Sequence, residues 1–190
     1  MSQSILTKIK ELEQERSDWF VKEDTIKLMM QYCRQGDLLK VLEIGTHIGY
    51  SALHFALVVD HVTTIEKDRV FIRDARKNLS SFKKEITLIE GNALDILPIL
   101  QEANKKYDCI FIDAHKPDYS NFLNLSIPLL SEIGVIFIDN TISHKDKIKP
   151  FFPTLEQSGL SFKELGVGDG LIIAFKTRKF FQKKEKENSY

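Results

Sequence analysis

Two runs, YDCIFI starting at Tyr107 and GVIFI starting at Gly134, are apolar at almost every position, and each stops against an aspartate, Asp113 and Asp139. A strand with one wet face alternates polar and apolar residues. A continuous run is covered on both faces, which places it inside a parallel sheet flanked by helices. Shorter runs, VLEI, HVTTIE and ITLIE, alternate with helical patterns such as FIRDARKNL and LDILPIL. That alternation is the pattern of βαβ units, so the expected fold class is α/β. Upstream, Ile5, Ile9 and Leu12, and then Ile26, Met29, Met30 and Cys33, recur at helical spacing, so two amphipathic helices precede the sheet. Downstream, LSFKELGVGDGLIIAFK holds two strand patterns around Gly166, Gly168 and Gly170, expected to close one sheet edge as an antiparallel pair. Residues 1–176 read as one domain, with 1–38 as its N-terminal helices and 177–190 as a basic, polar tail.

Composition narrows the partners. Twenty-seven basic and 27 acidic residues give a formal net charge of zero, so any affinity for nucleic acid has to be argued from local patches. The first twenty residues carry charge every few positions and lack the apolar centre of a secretory signal, and no later apolar run spans a bilayer. The two cysteines, Cys33 and Cys109, stand far apart in apolar surroundings and read as buried hydrophobes. A cytoplasmic protein with no membrane partner is expected.

The stretch LKVLEIGTHIGYSAL, Leu39 to Leu53, is a strand, a glycine loop and a helix start. In open parallel sheets ligands bind beyond the carboxyl ends of the strands, where glycine turns let backbone N–H groups approach them. Gly45 and Gly49 stand in that turn. Their spacing, E-x-G-x-x-x-G from Glu43, differs from the G-x-G-x-x-G that cradles a dinucleotide pyrophosphate, and favours another adenosine cofactor. Glu66 ends the next strand, where a carboxylate can accept from both hydroxyls of a ribose.

Asp113 and Asp139 leave neighbouring strands on that same side, and Asn140 follows directly. Two converging carboxylates repel unless a cation lies between them. An all-oxygen set completed by an amide suits Mg²⁺ or Mn²⁺ better than zinc. Lys116, three residues past Asp113, is near enough to a metal-held oxygen to act as general base, its ammonium pushed toward neutrality by the dication. The structural alternative is that the two aspartates cap helices and Lys116 is a surface charge.

In this order, VLEIGTHIGYSAL, TTIEKD, GNALDILP, FIDAHKPDY and IDN resemble the cation-dependent O-methyltransferases, the family of catechol and caffeoyl-coenzyme A O-methyltransferases, from roughly Trp19 to Lys176. The resemblance implies an S-adenosylmethionine-dependent enzyme of Rossmann-like, doubly wound fold. Its sheet would have seven strands, mostly parallel, with a reversed C-terminal hairpin. It implies the methionine moiety against Glu43, Gly45, Tyr50 and Ser51, with Gly49 and Asp113 bordering the cofactor, the ribose on Glu66, and the adenine near Asn92 and Ala93. It implies the metal on Asp113, Asp139 and Asn140, and the base at Lys116.

Departures from the family matter too. His115 stands where catechol enzymes have a Trp before the lysine, and Lys163 where they carry a substrate-binding acid, so catechol itself is not the expected substrate. Trp19 and Phe20 read either as an aromatic lid over the substrate or as pins for the N-terminal helices. His47 sits in the glycine loop with either a cofactor contact or no task, His54 and His61 read as structural, and His144 is assigned no role. The run Lys145, Lys147, Lys149 reads as a solvated face, with an anionic substrate or RNA phosphate as the alternative. Two acceptors stay open: a small phenolic or related molecule with adjacent oxygens, and a tRNA wobble uridine. An NAD-type oxidoreductase and a silent cofactor-binding module are the readings of other classes, and the chain is either a monomer or a homodimer.

Overall fold

The computed structural model describes residues 2–14, 20–83 and 85–176. Trp19 and the tail at 177–190 lie outside the described residues. Seven strands, β1 (Lys40–Ile44), β2 (His61–Glu66), β3 (Ile86–Glu90), β4 (Tyr107–Ile112), β5 (Leu130–Asp139), β6 (Ser161–Leu165) and β7 (Leu171–Phe175), form one sheet in the order β3-β2-β1-β4-β5-β7-β6. The first five are parallel; β7 inserts antiparallel beside β5, and β6 pairs antiparallel with β7 at the edge. This is the expected seven-stranded sheet with its reversed C-terminal hairpin.

The continuous apolar runs are explained by two cores, one on each face. Val41, Cys109, Phe111, Val135, Phe137 and Ile173 point one way. There they meet α1 (Ser2–Gln14), α2 (Glu23–Gln35), α3 (Tyr50–Phe55) and α4 (Arg69–Leu79). Leu42, Ile110, Ile112, Ile136, Ile138 and Ile172 point the other way. They pack on α5 (Ala93–Glu102), α6 (Tyr119–Ser126), α7 (Lys145–Ile148) and α8 (Phe151–Gln157). Each fully buried Leu, Ile or Phe contributes about 1.5–3 kcal/mol, so these two stripes dominate the stability of the layers. The helical periodicity at the N-terminus holds: Ile5, Ile9 and Leu12 of α1 and Ile26, Met29, Met30 and Cys33 of α2 are all buried. Cys33 and Cys109 are free thiols buried in the same core.

One boundary differs from expectation. β5 begins four residues before GVIFI, at Leu130. Its extra residues Ser131, Glu132 and Ile133 fall at an irregularity where the β4 pairing steps from Leu130 to Val135, and with Glu132 and Ile133 exposed they carry no apolar run. Among the described residues, no helix is long and apolar enough to cross a membrane.

Candidate active site

After β1 the chain turns through the glycine loop into α3. Gly45 has φ +105°, and a Cβ there would sit 2.1 Å from the carbonyl oxygen of Asp113. Only glycine lets the loop after β1 lie against the loop after β4. Gly49, at φ +95°, lies against Leu79 of α4, 2.8 Å from where its Cβ would be. Backbone bonds fix the same junction: Asp113 N–H donates to the Ile44 carbonyl and Gly45 N–H to that of Ile65, both at 3.0 Å. Glu66, at the end of β2, braces the loop. One oxygen accepts the His47 N–H at 2.8 Å, and the other accepts the N–H groups of Lys67 and Asp68 at 2.9 Å each.

Beneath the loop Glu43 is wholly buried. Ser51 donates to one of its oxygens and Thr64 to the other, the latter at 2.5 Å, and Thr64 is in turn bonded to Thr46 at 2.5 Å. Burial pushes the Glu43 carboxyl up to about 8, the two hydroxyls pull it down, and the charges of Asp113 and Glu66 add to the rise. At neutral pH Glu43 is therefore mostly a neutral acid, and the hydroxyls can turn to share its proton.

Across the cavity stand the two aspartates. Asp139 is 2% exposed, its Oδ2 accepts from the Asn140 side-chain amide at 2.9 Å, and its Oδ1 is buried with no hydrogen-bond partner. Burial and then the neighbouring charge of Asp113 push it up to about 7, against the pull of the Asn140 N–H and Lys116. Lys116 Nζ is 3.0 Å from Asp113 Oδ1 and 5.7 Å from the centre of the Tyr119 ring. Tyr119 donates to the Asp139 carbonyl at 3.2 Å, locking α6 under the site. Asn140 takes a left-handed φ of 64°, which its short amide side chain tolerates better than most. The segment after it is tied to the β6–β7 turn: Thr141 N–H donates to Gly170, and Ile142 and Ser143 N–H to Asp169. Among the described residues no cluster of three or more His, Cys, Asp or Glu is placed to hold a metal. Two carboxylates, one with an orphaned buried oxygen, beside an amide form instead a hard-oxygen donor set.

One cavity of about 1070 Å³ joins the two halves. Of the residues singled out in the sequence, Gly45, Tyr50, Ser51, Glu66, Asn92, Ala93, Asp113, His115, Lys116, Asp139, Asn140 and Phe20 line it. Glu43 and Gly49 are not in its wall; they stand behind it, Glu43 reaching the lining through Ser51. Asn92 also caps α5, accepting the Leu94 N–H at 3.2 Å. His115 is bonded to Asp118 at 3.0 Å at the exposed edge. Phe20 both lines the cavity and stacks on Tyr50 of α3, centroids 4.5 Å apart and 5° from parallel.

The readings of four histidines are sharpened. His47 lines the cavity with its ring 4.2 Å from that of Phe71, and burial lowers its pKa against the charges of Glu66, Asp113 and Asp74. His54 bonds to the Tyr50 carbonyl and His61 to Thr87, both outside the cavity. His144, given no role from sequence, is in the wall beside Lys147 and Asp169. Its pKa is lowered by burial and then by Lys116 and Lys147, with Asp169 and Asp113 opposing. Sequence reasoning missed Phe71, Lys67, Arg69, Asp169 and His144. The single local signal for the last was the Asn140 turn, which brings His144 N–H back to the Asn140 carbonyl at 3.1 Å.

Residues 17–152 match the family model described as O-methyltransferase. The chain is 31% identical over 123 residues to a catechol O-methyltransferase of Niastella koreensis, across 62% of this chain and 54% of that protein. It spans about half the length of the curated relatives it matches. A Staphylococcus aureus structure, solved as a candidate caffeoyl-CoA O-methyltransferase, superposes with TM-score 0.76 at 30% identity, covering 92% of this chain and 100% of that one. A Bacillus cereus O-methyltransferase in complex with SAH shares the fold, with TM-score 0.77 at 23% identity over 90% of each chain.

Proposed function

Because the chain belongs to the O-methyltransferase family, whose enzymes take their methyl group from S-adenosylmethionine, we propose that it methylates one hydroxyl of a small molecule with two neighbouring oxygens, aided by Mg²⁺ or Mn²⁺. The observation that carries this reading is the acceptor half of the cavity. There the orphaned Asp139 oxygen, Asp113, Asn140 and Lys116 converge beside the glycine loop. A binding module for the cofactor alone has no use for a buried acid with an orphaned oxygen beside a lysine-paired second acid at that point.

In this reading the loop at Gly45, with Tyr50 and Ser51, receives the methionine end of the cofactor. Glu66 receives the ribose, and Asn92 and Ala93 border the adenine. When bound, S-adenosylmethionine supplies a sulfonium methyl for in-line displacement, a step in which alignment contributes roughly 7–11 kcal/mol in favourable cases. Asp113, Asp139 and Asn140 would hold the divalent cation, which supplies Lewis-acid activation and orientation of the acceptor oxygens. Lys116, once parted from Asp113 and having lost its ammonium proton to solvent, would take the proton from the reacting hydroxyl as the neutral amine. Burial keeps Glu43 neutral beneath the loop, against the pull of the Ser51 and Thr64 hydroxyls, so no further negative charge is added to the site. Phe20, His47 and Phe71 wall off water from the donor side.

The test is radiolabelled methyl transfer to a panel of dihydroxyphenyl acceptors, with Mg²⁺ and with chelator, alongside calorimetric binding of S-adenosylmethionine. Transfer that needs the metal, and an Asp139→Ala variant that binds cofactor but no longer transfers, is the expected outcome. Undiminished transfer by Asp139→Ala in chelator would overturn the metal-assisted mechanism.

A further inference from the structure

The lysines that follow the acidic pair are not equivalent. Lys145, Lys147 and Lys149 are all exposed, yet only Lys147 belongs to the cavity wall. It is presented there because the neighbouring Ile148 is buried, 1% exposed, and pins α7 into the core. α7 also packs against the turn Lys116–Asp118, so Lys147 and Lys116 approach the acceptor half from adjacent elements. Both ammonium groups bear on His144, which shares the cavity wall with them.

Pairing the charges of this half leaves one over. Lys116 pairs with Asp113 at 3.0 Å, and Lys22 with Asp169 at 3.7 Å. Asp113 is shared between Lys116 and the proposed dication, which also takes Asp139. Of these lysines only Lys147 has a side chain without an ion pair or hydrogen bond among the described residues. A cation that lines a cavity beside the reacting end, and that nothing in the protein neutralises, favours a ligand that brings the negative charge.

We infer that Lys147 selects acceptors bearing a carboxylate on the ring beyond the two hydroxyls, a dihydroxybenzoate-like molecule in preference to a neutral or cationic one. This rests on the reading that the acceptor half takes adjacent hydroxyls. The carboxylate is held at the rim by Lys147, with the His144 and His115 rings as further polar groups along the same wall. No charge of the donor half is involved.

The experiment compares kcat/KM for 3,4-dihydroxybenzoate, catechol and 3,4-dihydroxyphenethylamine under saturating S-adenosylmethionine and Mg²⁺. The wild type is expected to prefer the acid. Lys147→Ala should lower the acid-to-catechol ratio about fivefold, the size an exposed ion pair can carry, through KM and not kcat. Lys147→Glu should invert the order between acid and amine, and the wild-type preference should shrink as salt rises from about 0.05 to 0.5 M. Lys145→Ala, whose side chain is outside the cavity, should keep the wild-type ratio. An acid-to-catechol ratio unchanged in both Lys147 variants, or a wild-type preference for the amine, overturns the inference while leaving the catalytic reading intact. Failure of all three acceptors, with transfer to unmodified tRNA instead, overturns both.

Discussion

Replacing Glu43 by Gln tests the electrostatics of the donor half without removing a hydrogen-bonding side chain. In the folded protein the Glu43 carboxyl titrates at about 8, against 4.5 for an ordinary glutamate, because it is buried between Ser51 and Thr64. A folded-state pKa above the unfolded one means that folding takes up a proton between those values. The native state is then favoured at low pH and loses that advantage as pH rises from 4.5 through 8. At ~1.36 kcal/mol per pH unit the full loss is about 5 kcal/mol, an order-of-magnitude figure for one group. The amide in Glu43→Gln cannot ionise, and it can still accept from one hydroxyl and donate to the other. Urea unfolding of both proteins between about pH 5 and 9 should give similar stability at the acid end. At the alkaline end the variant should be more stable by several kcal/mol, on the order of the figure above. Other titrating groups cancel in the difference between the two proteins. Parallel stability curves across the whole range would refute the neutral buried acid.

Three further outcomes follow from the geometry. Gly45→Ala forces a Cβ onto the Asp113 carbonyl in a left-handed backbone, and thermal unfolding should show a loss of about 3 kcal/mol or more, with no cofactor binding by calorimetry. Glu66→Ala leaves the N–H groups of His47, Lys67 and Asp68 without their acceptor. The affinity for S-adenosylmethionine should fall about tenfold or more, and an unchanged titration would remove Glu66 from the site. Lys116→Ala should lower kcat by about 10² or more while cofactor affinity stays near wild type; a purely KM effect would argue for binding and against proton transfer.

The parts legible in the sequence are those that a local pattern encodes. Ile110, Phe111 and Ile112 face opposite cores, so their unbroken apolarity reported a central strand. Asp113 and Asp139 were found because parallel topology puts every such strand end on the same side. Lys147, Asp169 and His144 were not assigned because their position depends on the segment after Asn140 folding onto the β6–β7 turn. That contact is made by backbone N–H groups to the Asp169 and Gly170 carbonyls, which no side-chain pattern announces. Glu43 was placed against the cofactor, whereas the fold puts it behind the wall, since the direction of a strand-end side chain depends on which face its neighbours cover. Lys163, noted as a departure in the hairpin, is an exposed residue of β6 and does not line the cavity.

The near-contact of Gly45 with the Asp113 carbonyl sets the loop after β1 against the loop after β4 through peptide groups alone, with no side chain between them. A distance set this way is stiff and indifferent to most substitutions. In the proposed reading, exchanging the exposed wall residues His115 and Lys147 retunes which molecule is accepted while the junction of the two loops stays the same.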